Sequence, residues 1–167
     1  MADPRTLILM RHGKSAYPDG VADHDRPLAP RGVREAALGG DWLRANLPLV
    51  DAVLCSTATR TRQTLERTGI AAPVRYLAAL YGATPGMVIE QINGVAEEVA
   101  TLLVVGHEPT TSTTALILAA TDGTSTDARR RISMKFPTSG IAVLRIPGDW
   151  ENLGPGGAAL IDFHVPR

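Results

Sequence analysis

The stretch Thr6-Leu7-Ile8-Leu9-Met10-Arg11-His12-Gly13-Lys14-Ser15 decides how the rest of the chain is read. Leu7–Met10 is a short, continuous apolar run, the pattern of a strand buried on both faces of a parallel sheet. It ends in a cation, an imidazole and a glycine, so the chain passes from core to chemistry within one residue. In open α/β sheets, ligands bind beyond the carboxyl ends of the strands. Arg11 and His12 are therefore placed at the rim of a cleft, with Gly13 letting the backbone turn close to a bound group.

The same logic recurs downstream. Leu102-Leu103-Val104-Val105 is a second apolar strand, and it runs into Gly106-His107-Glu108-Pro109. Between the two lies a third, Asp51–Cys55, followed by Ser56-Thr57-Ala58-Thr59, which opens a helix with Thr57 or Thr59 as its N-cap. Arg60, Arg62, Gln63 and Thr64 fall in its first turns. Around this frame, a polar loop spans Ala16 to Pro30. A helix is read from Val33 to Asn46, with Val33, Ala36, Ala37, Gly40, Leu43 and Leu47 on one face and Pro48 beyond its end. Val74–Leu77 is a brief strand, and Thr84-Pro85 starts a helix closed by Asn93-Gly94. Val95–Thr101 is left open between turn and loop. Pro109–Ala120 reads as a helix, Thr121–Arg131 as loop or short helix, and Ile141–Ile146 and Ala158–Val165 as strands. The alternation predicts one α/β domain over residues 1–167: a three-layer sandwich on a mostly parallel central sheet, the late strands suiting antiparallel pairing.

Composition narrows the function. The chain has 167 residues, 17 Lys plus Arg against 17 Asp plus Glu, 44% hydrophobic and 20% charged residues. No basic excess points to nucleic acid or an anionic membrane, so any anion must be bound by locally placed cations. Cys55 is the one cysteine; it sits in the apolar run Ala52–Cys55 and reads as a buried, inert thiol. No apolar run approaches the roughly 20 residues of a membrane span. Met1–Arg5 is not followed by a signal-peptide core, so a cytoplasmic protein, monomeric rather than oligomeric, is expected.

Two histidines and two arginines at strand ends suit a phosphoryl group. Arginine offers a planar fork of donors that matches phosphate oxygens, and a neutral imidazole is a competent nucleophile near neutral pH. His12 is the expected nucleophile. Arg11, Arg60 and a protonated His107 are expected to stabilise the charge that develops. Neither His12 nor His107 has a His or Cys partner at ligand spacing, so no metal and no cofactor are expected. His24 and His164 read as structural or solvated, and Asp23 and Asp25 as turn residues within reach of the site.

Arg11-His12-Gly13, then Arg60-x-x-Gln63-Thr64, then Gly106-His107-x-Pro109 resemble the histidine phosphatase superfamily, also called phosphoglycerate-mutase-like. Arg11-His12-Gly13-Lys14-Ser15, with Asp25-Arg26-Pro27-Leu28 and Arg31-Gly32, resembles its small SixA-type phosphohistidine phosphatase branch. The resemblance implies a phosphoglycerate-mutase-like fold and a phosphohistidine enzyme intermediate on His12. It implies that Arg11, Arg60 and His107 bind the transferring group and that Ser15 and Arg26 contact the substrate. Thr138-Ser139-Gly140 matches the family's turn near the pocket.

Many members also carry a carboxylic acid after the third strand, whereas Leu77–Gly86 holds Tyr81 and neither Asp nor Glu. An alcohol leaving group needs a proton as its P–O bond breaks; an imidazole, with a reference pKa of about 6.5, leaves readily once protonated. The gap therefore favours phosphohistidine. Glu108 is the possible proton donor, with capping of the following helix as its other reading. The expected activity is a metal-independent phosphatase acting on protein phosphohistidine. The alternatives are a small-molecule phosphomonoesterase, which would use Glu108 or a loop Asp as acid, and a non-catalytic phosphate-binding module.

Overall fold

The strands β1 (Arg5–Arg11), β2 (Ala52–Ser56), β3 (Val74–Leu77), β4 (Thr101–Gly106), β5 (Ile141–Ile146) and β6 (Ala159–His164) form one sheet in the order β3-β2-β4-β1-β5-β6. β3, β2, β4 and β1 run parallel to one another, while β5 lies antiparallel to both β1 and β6. This is a computed structural model that describes residues 3–167. Met1 and Ala2, part of the segment read for a targeting signal, lie outside the described residues.

Strand periodicity explains why the apolar runs are continuous. Successive side chains point to opposite faces, and both faces are covered. Leu7, Leu9, Leu102 and Val104 pack on one side with Val88, Ile92, Ala115, Leu118 and Ile132. These last come from α3 (Pro85–Asn93), α4 (Thr110–Leu118) and α5 (Thr126–Met134). Ile8, Met10, Leu103 and Val105 pack on the other side with Leu43 and Leu65, from α1 (Pro30–Asn46) and α2 (Thr59–Thr68). The expected three layers are present. Cys55 is fully buried and its thiol is pushed up to about 12 by that burial, which makes it an inert core residue. Among the described residues, no helix is long and apolar enough to cross a membrane.

Several local expectations are corrected. The first helix starts at Pro30 and not at Val33. Proline suits the first helical position, where its missing N–H costs nothing. Gly32 lies inside the helix, and the position requires glycine because a Cβ there would stand 2.2 Å from the Lys14 carbonyl oxygen. Neither Thr57 nor Thr59 caps α2: the cap is Ala58, whose N–H donates to Ser56 Oγ at 3.3 Å. α4 is shorter than Pro109–Ala120, because Pro109 is its cap and Ala119 leaves it to bridge Ala158. The polar stretch Thr121–Arg131 contains the start of α5, capped by Ser125 accepting from the Ala128 N–H at 3.1 Å. Thr84 caps α3 as expected, accepting from the Met87 N–H at 3.2 Å.

Candidate active site

β1 and β4 are adjacent and parallel, with Arg11 opposite Gly106. His12 and His107 each follow the last paired residue of their strand, and the His12 N–H continues the ladder to the Gly106 carbonyl at 3.0 Å. The imidazole centroids stand 5.3 Å apart, the rings tilted by 58°.

The His12 ring is buried, and its Nδ1 lies 2.7 Å from the Gly13 carbonyl oxygen. A carbonyl only accepts, so Nδ1 carries the proton and Nε2 keeps its lone pair. Burial, and then the neighbouring His107, Arg11 and Arg60, lower the His12 pKa to about 3, so the ring is neutral at pH 7. His107 is also lowered, to about 4, by burial first and the Arg60 charge second. The ring is therefore neutral in the free site, where burial and then the Arg60 charge disfavour a further cation; the expected protonated His107 belongs to a site that holds a phosphoryl group. Its Nε2 pairs with Ser56 Oγ at 2.8 Å.

The backbone around His12 is braced from three sides. The Gly13 N–H donates to Thr64 Oγ1 at 2.9 Å, and Thr64 in turn donates to the Arg60 carbonyl at 2.7 Å. The Ser139 N–H donates to the His12 carbonyl and the Arg11 N–H to the Gly140 carbonyl, both at 3.0 Å. Arg11 Nη1 donates to the Phe136 carbonyl at 2.9 Å, so the turn Phe136–Gly140 holds both Arg11 and His12 at the end of β1. Ser139 itself adopts φ +63°, a left-handed conformation uncommon for a residue with a Cβ. Among the described residues, the buried side-chain atoms without a hydrogen-bond partner are Arg11 Nε, Arg60 Nε and Ser139 Oγ. Unfilled donor capacity thus gathers around this site and not in the core.

The loop between β1 and α1 folds over Arg60. Arg60 Nη1 donates to the Asp23 carbonyl at 2.7 Å and Nη2 to Asp23 Oδ2 at 3.1 Å. Tyr81 donates its hydroxyl to the same carboxylate oxygen at 2.5 Å, and Arg26 Nε donates to Oδ1 at 3.1 Å. Tyr81, with Arg60 and Arg26, holds the Asp23 carboxyl well below the usual carboxylate range. His24 stands edge-on to Tyr81 at 4.8 Å, with Nε2 paired to Thr57 Oγ1 at 2.9 Å. Tyr81 is in turn edge-on to His107 at 5.5 Å.

The expected residues are thus brought together in part. Arg11, His12, Arg60 and His107 converge. Ser15 and Arg26 meet each other: Arg26 Nη1 donates to Ser15 Oγ at 2.6 Å and its guanidinium lies 4.1 Å from the Tyr17 ring centroid. Glu108 takes the capping geometry, accepting from the Ser112 N–H at 2.6 Å and the Ser112 hydroxyl at 2.8 Å. His164 stacks on Trp42 at 4.5 Å, outside the cluster. Asp25 pairs with His24 Nδ1 at 3.5 Å, whereas Asp23 does more than turn the loop. Ser56, Asp23, His24 and Tyr81 are the site neighbours that pattern reading missed or undervalued. The signal for Tyr81 was its position in the segment that lacks an acid. Among the described residues, no group of three or more His, Cys, Asp or Glu side chains has the geometry to hold a metal.

Residues 7–100 match the family model described as histidine phosphatase superfamily, branch 1. An uncharacterized protein of Mycobacterium tuberculosis is 70% identical over 158 residues, which are 95% of this chain and 100% of that protein. The phosphohistidine phosphatase SixA of Escherichia coli is 34% identical over 109 residues, 62% of this chain and 67% of that protein. A candidate phosphohistidine phosphatase SixA from Nakamurella multipartitia superposes with a TM-score of 0.91 at 43% identity, covering 99% of this chain and 98% of the other.

Proposed function

The chain belongs to the histidine phosphatase superfamily, and on that premise we propose that it is a metal-independent phosphatase that uses His12 as nucleophile and acts on protein phosphohistidine. The observation that carries this is the His12 tautomer. With Nδ1–H committed to the Gly13 carbonyl at 2.7 Å, Nε2 is the free, neutral nitrogen beside Arg11, Arg60 and His107.

The Nε2 lone pair attacks phosphorus and forms the N–P bond. The bond from phosphorus to the leaving nitrogen breaks, its electron pair going to an imidazole protonated on its other nitrogen, which departs neutral. Water then attacks the phosphoryl group on His12, the N–P bond breaks with its pair returning to Nε2, and the water proton leaves with phosphate or to solvent. Both steps spread charge over the phosphoryl oxygens, where the arginine forks stabilise it. A phosphoryl dianion beside His107 would oppose the burial and the Arg60 charge that keep that ring neutral in the free site, and so favour its protonation.

The leaving group follows from which acids are engaged. Both Glu108 carboxylate oxygens accept hydrogen bonds from Ser112, and Asp23 is held ionised by Tyr81, Arg60 and Arg26. Neither is poised to give a proton to an alkoxide. That supports a leaving group that needs little help, as imidazole does. The names of the SixA relatives point the same way.

The test compares a phosphohistidine peptide with alkyl and aryl phosphates, using wild type, His12→Ala and Glu108→Gln. Acid-labile phosphate should accumulate on wild type and be absent from His12→Ala, and Glu108→Gln should keep its activity on the peptide. Turnover by His12→Ala, or loss of activity on chelation, refutes the mechanism. A preference for alkyl phosphates that Glu108→Gln abolishes refutes the substrate assignment.

A further inference from the structure

Arg60 carries its charge close to His12 and His107, yet its guanidinium is held from outside α2. Its side chain is only 8% exposed, and both terminal nitrogens are engaged by Asp23, one through the backbone carbonyl and one through the carboxylate. The same carboxylate receives the Tyr81 hydroxyl and Arg26 Nε, and the Arg60 guanidinium lies 5.9 Å from the Tyr81 ring centroid. Tyr81 then reaches the His107 ring edge-on at 5.5 Å. One carboxylate in the loop therefore ties together the guanidinium and an aromatic ring that borders the second histidine.

We propose that Asp23 is a positioning residue of the phosphoryl site: it aims the Arg60 fork and joins it to Tyr81, so that the remaining guanidinium N–H groups face an incoming oxyanion. The proposal rests on the phosphatase reading only for the identity of that oxyanion's source.

Two effects oppose each other at Asp23. Its negative charge weakens anion binding, whereas its hydrogen bonds fix the direction of the donors. The Asp23 side chain is 57% exposed, so solvent and salt screen its charge. The guanidinium it holds is desolvated, and directional contacts to such a group are worth more than exposed ones. Orientation therefore wins. The root of the loop is anchored independently: Leu28 N–H donates to Gln63 Oε1 at 2.8 Å, Ala16 N–H to the Pro27 carbonyl at 2.8 Å, and Ser15 bridges Leu28. Removal of the Asp23 side chain thus leaves the loop attached.

The experiment measures inorganic tungstate binding by calorimetry, aryl phosphate kinetics and thermal unfolding on wild type, Asp23→Ala and Asp23→Asn. In Asp23→Ala, tungstate affinity should fall about tenfold and KM rise by a similar factor, with a smaller change in kcat and an unchanged melting temperature. Asp23→Asn keeps an acceptor oxygen for Arg60 and should recover to within about threefold of wild type. A general loss of fold would lower kcat and the melting temperature together and leave the affinity of the folded fraction unchanged, which refutes positioning. Unchanged or tighter tungstate binding in Asp23→Ala also overturns the proposal. Wild type that binds tungstate with this dependence on Asp23 but turns over no phosphoester would keep the positioning role and sink the phosphatase reading instead.

Discussion

Thr64→Val isolates one support beneath His12. Valine has nearly the same shape as threonine, and the site is fully buried, so packing changes little. What is lost is the oxygen that accepts the Gly13 N–H at 2.9 Å. The Arg60 carbonyl, to which Thr64 donates at 2.7 Å, still lies inside α2 and keeps its helical partner. The cost is therefore that of one buried donor left unsatisfied, about 1–3 kcal/mol. For a domain of this size that corresponds to a fall in melting temperature of about 2–12 °C. Activity should fall further than stability implies. The Gly13 carbonyl, one residue's backbone away from that N–H, holds Nδ1 of His12 at 2.7 Å, so backbone movement at Gly13 once Thr64 lets go of its N–H also loosens the imidazole. Misplacement of a reacting group by about 1 Å costs up to about a hundredfold in rate. Calorimetric unfolding and steady-state aryl phosphate hydrolysis read the two effects. Thr64→Ser, which restores the oxygen, should recover kcat. Thr64→Val that melts within about 1 °C of wild type and retains kcat would refute this account of how His12 is held.

Two further outcomes follow from the geometry. Gly32→Ala places a Cβ 2.2 Å from the Lys14 carbonyl oxygen, so α1 must shift away from the strand end; urea unfolding should show a loss of about 1–3 kcal/mol or more, and KM should rise as Ser15 moves. The two depressed histidines make stability depend on pH: between about 6.5 and about 3 to 4 the unfolded chain binds protons that folded His12 and His107 refuse. Stability is therefore retained above about pH 6.5 and lost as pH falls through that window. The urea midpoint should decline from pH 7 to pH 5, and His12→Gln with His107→Gln should flatten the decline; a slope unchanged in the double variant would contradict the buried neutral state of these rings.

Legibility differed by kind of structure. The strands of the sheet were readable because burial on both faces writes itself as an unbroken apolar run: Leu7–Met10 and Leu102–Val105 fall in β1 and β4. The strand-end histidines were readable because the transition from apolar run to His12 and His107 is abrupt. The N-cap of α2 was not, because Thr57 has a competing partner in His24, from a loop distant in sequence. α5 was legible in part: a short helix was one of the two readings of Thr121–Arg131, and the helix starts inside that polar stretch and runs on to Met134. The largest omission was the Asp23–Arg60–Tyr81 cluster. Its members are 37 and 58 residues from Asp23, and their pairing depends on how a polar loop folds back, which periodicity does not encode. The charge state of His107 in the free site was not legible for a related reason: it is decided by burial and by the neighbouring Arg60, and neither is visible along the chain.

The register between β1 and β4 has a consequence for how this protein can vary. Strands in a sheet repeat at about 4.8 Å, and the two imidazole centroids, one residue beyond a paired Arg11 and Gly106, stand 5.3 Å apart. Their separation is a lattice constant of the sheet and not a product of loop conformation. Insertions and substitutions in the β1–α1 loop or around Tyr81 can therefore retune what approaches the histidines while the spacing between them stays fixed. The sheet sets the spacing of the two histidines, whereas the loop that holds Arg60 and Tyr81 sets what surrounds them, so spacing and surroundings are free to diversify at different rates.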